Sequence, residues 1–233
     1  MRGRSRRLGV LLCAAWLSAS LGKAGAQTPA AAVAPAAAAP ATGTASAAAE
    51  LMRRIDAAQA DLRTLSAEFV QTSRIKLFKQ QIRSQGRLLY QRGTPTKLRW
   101  EYTKPDPSTM LLIGDRATLR IGTRPPQVFD SARDPTLHAI FTQLQLWLGN
   151  GSLAAAQGEY EIRSSGPPEQ PALLLMPKPS SVLSRAFARI ELHVDGRTLQ
   201  LVRLLLIENS GDEKEIAFSR LQRNSALPAN AFD

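Results

Sequence analysis

The sequence predicts an α+β fold in which an antiparallel sheet of many short strands is interrupted by one helix at its start and another near its middle. Apolar residues recur at helical spacing over residues 50–64, and the period then changes to two. Short strands separated by turn residues follow, and a second helical pattern begins at Asp134. Short antiparallel strands curl as they twist, so we expect a barrel or half-barrel that a helix can cover.

The first 26 residues have the three parts of a secretory signal peptide. Four arginines precede an apolar core over residues 8–21, and Ala24-Gly25-Ala26 forms a small-residue cleavage site. Read instead as a membrane anchor, the apolar stretch before Lys23 has only 15 residues, short of the roughly 20 that a spanning helix needs. We predict cleavage after Ala26. The single cysteine, Cys13, then leaves with this segment, so the mature chain has no disulfide and no thiolate metal site.

Residues 27–49 form a tract of alanine, proline and threonine without any charge. Its prolines argue against a helix, and it lacks the large apolar residues of a core, so we predict a disordered linker. The remaining residues, 50–233, have the size of one domain. Loss of the signal peptide removes five basic residues and lowers the formal net charge from +11 to +6.

The first helix and the first strand are predicted from a change in apolar period. An amphipathic pattern over residues 50–64 predicts the helix, and the alternation of Ala67, Phe69 and Gln71 with polar neighbours predicts the strand after it. The apolar positions of the helix are Leu51, Ile55, Ala58, Leu62 and Leu65.

Residues 86–107 read as a β-hairpin. Apolar residues alternate on both strands, and Gly93-Thr94-Pro95 supplies the turn. Pro105 and Pro107 end the second strand because proline has no amide hydrogen for the ladder. The shared apolar face of the two strands consists of Leu88, Tyr90, Leu98, Trp100 and Tyr102.

A second hairpin joins residues 109–113 to residues 117–121 around Gly114-Asp115-Arg116. Asp134 and Pro135 then predict a helix start, with Asp134 as cap and Pro135 as first helical residue. The helix ends at Gly149. Its apolar positions are Leu137, Ile140, Phe141, Leu144, Trp147 and Leu148.

Five further strands are predicted in the last third, and Asp195-Gly196 between the third and fourth of them is a strong two-residue hairpin signal. The third alternates cleanly, which is typical of a sheet with one wet side, whereas the fourth is apolar on both faces. The predicted strands span residues 160–164, 172–176, 185–194, 198–208 and 215–222.

Enzymatic function finds little support. The chain has two histidines, His138 and His193, and no nucleophile elbow, phosphate loop or dinucleotide fingerprint. We therefore predict no catalysis, no metal and no cofactor. Basic residues cluster around the hairpin of residues 86–107, a pattern that also occurs in nucleic-acid-binding proteins. The small net charge of the exported chain favours a wet sheet face instead, although the same face could attract an acidic partner or anionic headgroups.

The hairpin also carries a family resemblance. A glycine opens its first strand at Gly86, Arg92 stands at the far end, and the run Arg99-Trp100-Glu101-Tyr102 precedes Pro105. This pattern resembles the signature hairpin of the LolA-like periplasmic lipoprotein carriers, and the terminal segment 226–233 is similar to the family's closing segment. The resemblance implies an incomplete β-barrel of about eleven strands, covered by a helical lid, in the periplasm of a Gram-negative bacterium.

The same resemblance implies a function and a site. The expected function is to carry the acyl chains of lipoproteins as a monomer, between an inner-membrane release complex and an outer-membrane acceptor. Arg92 falls at the position of the arginine that latches the family's lid. Two alternatives stay open, a carrier specialised for one lipid or glycolipid and an envelope-stress sensor of the same fold. The expected acyl-chain contacts are Phe69, Leu88, Tyr90, Leu98, Trp100, Tyr102, Met110, Leu112, Leu144 and Trp147.

Overall fold

A computed structural model describes residues 45–233 of the chain; the predicted signal peptide and most of the predicted linker lie outside the described residues. Helix α1 spans Ala45–Gln59 and helix α2 spans Pro135–Trp147. Short 3-10 helices occupy Ser131–Arg133, Leu153–Gly158 and Val182–Arg185. The strands are β1 Thr64–Ile75, β2 Gln80–Gln91, β3 Lys97–Lys104, β4 Ser108–Ile113, β5 Arg116–Ile121, β6 Gln127–Asp130, β7 Tyr160–Ser165, β8 Ala172–Pro177, β9 Phe187–Val194, β10 Leu201–Glu208 and β11 Glu213–Arg223.

All eleven strands form one antiparallel sheet in the order β6-β5-β4-β3-β2-β1-β11-β10-β9-β8-β7. The first and last strands of the chain pair in the middle of the sheet, with Phe69 opposite Phe218. In the described part of the chain β6 and β7 are the two edges, so the curved sheet stays open. The predicted α+β incomplete barrel with a helical cover is confirmed, including its eleven strands.

Helix α1 begins earlier and ends earlier than the sequence pattern predicted. It starts at Ala45, inside the predicted linker, because the last proline is Pro40 and an alanine-rich run follows. It ends at Gln59, since Leu62 and Leu65 already belong to the turn and to β1. Its buried face packs against β7 and β8 and consists of Ala48, Leu51, Met52, Ile55 and Gln59.

Two details of the sheet differ from the predictions. Strand β6 was not predicted, because its four residues are too few to show an alternating pattern. The connection after β9 is longer than a two-residue turn: Asp195 accepts hydrogen bonds from the amides of Arg197 and Thr198, and β10 begins only at Leu201. Gly196 lies against the carbonyl of Pro168, which leaves no room for a side chain.

The terminal segment returns across the outer face of the sheet. The Arg99 guanidinium donates to the carbonyl of Ala231 at 3.3 Å, and Arg120 donates to the carbonyl of Asp233 at 3.2 Å. The Lys97 ammonium stands 5.6 Å from the centre of the Phe232 ring. These contacts explain why outward-facing positions of β3 and β5 are basic.

No helix within residues 45–233 has the length and apolar character needed to cross a bilayer.

Candidate functional site

An apolar cavity lies between helix α2 and the concave face of the sheet. It contains about 870 Å³ of space not filled by atoms, counting the part that opens to solvent. The backbone of α2 lies mainly against the three 3-10 helices, so the helix bridges the mouth of the half-barrel at a distance from the strands. The sheet and α2 both contribute walls. The residues from α2 are Leu137, Ile140, Phe141, Gln143, Leu144 and Trp147.

Strands from both halves of the sheet supply the opposite wall. Alternation along each strand turns every second side chain inward, and the curvature brings these side chains to face α2. The wall residues of the strands are Trp100, Tyr102, Met110, Ala117, Leu119, Phe129, Tyr160, Phe187, Ile190, Leu204, Leu206 and Ile216, and Leu183 joins them from a 3-10 helix. The predicted contacts Trp100, Tyr102, Met110, Leu144 and Trp147 are therefore brought together in one cavity wall.

The other predicted contacts lie elsewhere. Leu88 lines a second, smaller cavity of about 440 Å³ beside the C-terminal end of α1, and Trp147 belongs to the walls of both cavities. Tyr90, Leu98 and Leu112 are fully buried and line neither cavity. Phe69 is also buried; its ring packs 4.8 Å from that of Trp100.

The sequence analysis singled out no wall residue from β5, β6, β7, β9, β10 or β11. The alternating pattern of β9 shows which of its side chains share a face. Whether that face meets the cavity depends on the long-range pairing of β1 with β11, which the pattern does not reveal. Phe129, Tyr160 and Phe187 are the largest side chains that these strands add to the site.

Toward the hairpin between β1 and β2, the concave face becomes polar. The Tyr102 hydroxyl donates to Gln71 Oε1 at 2.6 Å, and Gln71 Nε2 donates to Ser73 Oγ at 3.1 Å. Further along, the buried Lys214 ammonium pairs with Glu208. Burial raises the pKa of Tyr102, so its hydroxyl keeps its proton and remains a donor at neutral pH. The apolar cavity is thus bounded at this end by hydrogen-bonded groups.

Three polar atoms in the cavity wall have no hydrogen-bond partner in the described part of the chain: the Tyr160 hydroxyl, Trp147 Nε1 and Gln143 Oε1. All three are shielded from solvent in this closed state. Burial raises the pKa of Tyr160, which keeps the hydroxyl neutral. An unpartnered buried polar group costs free energy, so these atoms favour a state in which the cavity opens or holds polar atoms of a ligand.

Arg92 holds the two helices together at the other end of the barrel. Its Nη1 donates to the carbonyl of Ala60 at 2.8 Å, and its Nη2 donates to the carbonyls of Gln59 and Gly149. Gln59 ends α1, and Gly149 lies just after α2. Cations bind well to the exposed carbonyls at helix C-termini. We call this set, Arg92 with the carbonyls of Gln59, Ala60 and Gly149, the latch.

The latch depends on a glycine. Gly149 has φ +79°, and a Cβ there would meet Gln59 Cβ at 2.9 Å and Arg92 Nη2 at 3.2 Å. A larger residue would therefore force the ends of α1 and α2 apart. Asn150 adds a contact, since its Nδ2 donates to Thr96 Oγ1 at 3.2 Å. The sequence pattern predicts this glycine only as the end of the helix.

Two more contacts fix α1 independently of Arg92. Asp56 accepts from the Ser152 hydroxyl at 2.6 Å and from the Leu153 amide at 2.9 Å, beyond the end of α2. On the opposite side, Arg223 at the end of β11 donates to the carbonyl of Ala58 at 2.7 Å. The guanidinium of Arg92 also lies beside Tyr90: burial raises the pKa of Tyr90, and the nearby positive charge opposes the rise.

Within residues 45–233 no three histidine, aspartate or glutamate side chains come close enough to share a metal ion. His193 is buried between Glu191 and Arg203, whereas His138 is exposed.

An open antiparallel barrel with an apolar interior and a helix across its mouth defines a class of proteins that enclose hydrophobic ligands. Comparison with known proteins agrees. The family model "Outer membrane lipoprotein carrier protein LolA" matches residues 60–233. The outer-membrane lipoprotein carrier protein of Chromobacterium violaceum is 32% identical over 197 residues, which cover 81% of this chain and 84% of that protein.

A second carrier, from Dechloromonas aromatica, is 30% identical over 172 residues, which cover 73% of this chain and 76% of that protein. Among solved structures, a LolA superfamily protein from Nitrosomonas europaea aligns with a TM-score of 0.43 and 13% identity, over 80% of this chain and 97% of that one. The chain belongs to the LolA family of outer-membrane lipoprotein carriers, which confirms the resemblance of its hairpin. This family is periplasmic and consists of carriers rather than enzymes.

Proposed function

We propose that this protein is a periplasmic carrier that encloses the acyl chains of lipoproteins in the cavity beneath α2 and hands them to an acceptor at the outer membrane. One observation carries the proposal: an almost entirely apolar cavity is covered by a helix whose end is joined to the neighbouring helix by the guanidinium of Arg92. A cavity of this kind suits a ligand that is hydrocarbon for most of its length.

The latch supports release as well as binding. Burying an acyl chain stabilises the complex by roughly 0.8 kcal/mol per methylene, so a permanently open cavity would hold a long chain too tightly to pass it on. Entry of a chain requires α2 to move and the hydrogen bonds of Arg92 to break, and this cost offsets part of the gain. Hand-over to a tighter acceptor can then proceed without nucleotide hydrolysis.

The test is displacement of an environment-sensitive hydrophobic dye from the purified protein by a synthetic triacylated lipopeptide. The expected result is that the lipopeptide displaces the dye and the same peptide without acyl chains does not. Failure of the lipopeptide to displace the dye would overturn the proposal.

A matched pair of substitutions on α2 assigns the dye to the cavity. Ile140 lines the cavity, and Thr142 on the same helix is exposed and takes no part in the wall. Ile140→Asp places a carboxylate against apolar side chains and should weaken dye and lipopeptide binding by at least about tenfold, whereas Thr142→Asp should bind as the parent does.

Identifying the cargo distinguishes a lipoprotein carrier from the two alternatives, a carrier specialised for one lipid or glycolipid and an envelope-stress sensor. Mass spectrometry of material extracted from protein purified out of its own periplasm should find lipoproteins. Recovery of one phospholipid or glycolipid without any lipoprotein would favour a specialised lipid carrier or a sensor of the same fold.

A further inference from the structure

The hairpin between β1 and β2 ends in an exposed apolar pair. Residues 76–79, which we call the tip, form a β-turn in which the Lys79 amide donates to the carbonyl of Lys76. Leu77 and Phe78 occupy the two central positions and are 82% and 70% exposed. The next most exposed large apolar residues in the described chain are Val128 at 52% and Val182 at 43%.

The fold gives no reason for this pair. Central positions of β-turns favour glycine, proline, asparagine, aspartate and serine, which suit the backbone and stay in water at no cost. Leu77 and Phe78 bury little surface against the barrel. Two large apolar side chains exposed side by side at the end of a hairpin indicate a surface that binds an apolar partner.

The charges around the tip indicate what that partner is. Lys76 and Lys79 flank the apolar pair, and Arg83 follows on β2; none of the three has a carboxylate partner among the described residues. The sequence between Glu68 and Glu101 has no acidic residue, and the neighbouring Glu213 and Glu215 on β11 are paired with Arg74. The adjoining turn carries Asp212, whose carboxylate accepts from the backbone amide of Lys76 and so fixes the base of the tip.

We propose that the tip docks on the surface of an anionic bilayer, with Leu77 and Phe78 inserted beneath the headgroups and Lys76 and Lys79 at the level of the phosphates. Long lysine side chains hold their charge at the interface while an apolar neighbour goes deeper. Two apolar side chains and a few basic groups give weak, reversible binding. The tip lies at the opposite end of β2 from Arg92, so docking leaves the latch free.

The test is flotation of the purified protein with protein-free vesicles of phosphatidylcholine containing a minor fraction of phosphatidylglycerol. The protein should bind these vesicles and bind pure phosphatidylcholine much less, and added salt should weaken binding. Leu77→Ser/Phe78→Ser should lower the partition coefficient at least about tenfold, because serine suits the turn but has no apolar surface to insert. Val128→Ser/Val182→Ser removes the same number of exposed apolar side chains elsewhere and should bind as the parent does.

A second matched pair of variants tests the contribution of charge to vesicle binding. Lys76→Gln/Lys79→Asn should lower binding about fivefold per lysine removed, with asparagine chosen because Lys79 has φ +49°. Arg54→Gln/Arg116→Gln removes two exposed charges away from the tip, since Arg116 lies at the end of the sheet where β2 finishes, and should have a much smaller effect. All variants share one N-terminus, and circular dichroism with urea unfolding checks that each is folded.

Three results would overturn the proposal: no binding of the parent protein to anionic vesicles, equal binding by Leu77→Ser/Phe78→Ser, or binding only to native membranes that contain proteins. The last result would assign the tip to a protein partner. The Ile140→Asp variant should keep its vesicle binding, because the cavity takes no part in docking. Loss of binding in that variant would show that the cavity itself mediates binding to the vesicles, and this too would overturn the proposal.

Discussion

At the scale of single residues, Gly86 shows why the family hairpin opens with a glycine. A Cβ at this position would overlap the carbonyl of Glu101 on β3 and the ring of Phe69 on β1. The missing side chain allows the Phe69 ring to lie across β2 and reach Trp100 and Tyr102, at ring-centre distances of 4.8 and 5.3 Å. The glycine therefore allows Phe69 to pack against two residues of the cavity wall, Trp100 and Tyr102.

Gly86→Ala should destabilise the protein by about 3 kcal/mol, because both neighbours that it meets are fixed in the sheet or the core. Urea unfolding followed by circular dichroism measures the change. Gly158→Ala is the control: a Cβ there meets no atom within 4 Å, so its stability should be unchanged or raised by up to about 1 kcal/mol. Equal effects of the two substitutions would show that the Phe69 packing does not need the glycine.

Sequence alone reached some of these residues and missed others for a physical reason. Alternation identified the inward faces of β2 and β3, and the resemblance identified Arg92. Alternation shows which side chains of a strand turn inward, but it does not show where along the strand the cavity lies. It therefore could not distinguish Trp100, which borders the cavity, from Leu98, which is buried outside the cavity wall. The importance of Gly149 follows only from the approach of two helix ends that are far apart in sequence.

At the scale of elements, α1 and α2 differ in how firmly they are held. Asp56 and Arg223 fix α1 to the chain beyond α2 and to β11. The end of α2 is tied to α1 by Arg92 and to the β2–β3 turn through Asn150. Under the proposed function, α2 is therefore the cover that moves, and α1 is part of the frame against which it closes.

Arg92→Leu should loosen this cover. The carbonyls of Gln59, Ala60 and Gly149 lose their shared donor, so the closed state loses stabilisation while the open state does not. Dye and lipopeptide affinity should rise by at least about tenfold, and transfer of cargo to an acceptor should fall, since closure no longer helps expel it. Dye titration and a transfer assay measure the two effects.

Two variants bracket this result. Arg92→Lys keeps the charge but cannot bridge both helices with a planar fork, so it should fall between the parent and Arg92→Leu. Arg54→Leu removes an exposed arginine of α1 outside the latch and should behave as the parent does. Unchanged transfer by Arg92→Leu would reduce the latch to an ordinary helix cap.

The elements themselves were predicted well where patterns were long. The central helix and the long strands were found from their periods, whereas the start of α1, the four-residue β6 and the loop of residues 195–200 were not. In each of these three places the local sequence is compatible with more than one structure, and tertiary contacts determine which one forms. The Pro168 carbonyl against Gly196 is one such contact, because it draws the chain into a longer loop than the Asp-Gly pair alone favours.

At the scale of the whole molecule, the β1–β11 pairing joins the two halves of the open sheet. That pairing joins segments about 150 residues apart in sequence, so no local pattern reveals it. Once it forms, β2 runs from the tip to the latch over twelve residues, Gln80–Gln91, or about 40 Å at about 3.3 Å per residue. The tip proposed to dock on the membrane and the latch thus lie at opposite ends of one strand.

This separation predicts that the two ends act independently. In the variant that combines Arg92→Leu with Leu77→Ser/Phe78→Ser, lipopeptide affinity should match that of Arg92→Leu alone, and vesicle binding should match that of the tip variant alone. Substitutions this far apart without shared contacts add within about 0.5 kcal/mol, or roughly a twofold change in affinity. A double-mutant cycle with dye displacement and vesicle flotation measures both couplings. A coupling well above this limit would mean that contact with the bilayer is transmitted along the barrel to the latch, and that docking itself helps to open the cavity.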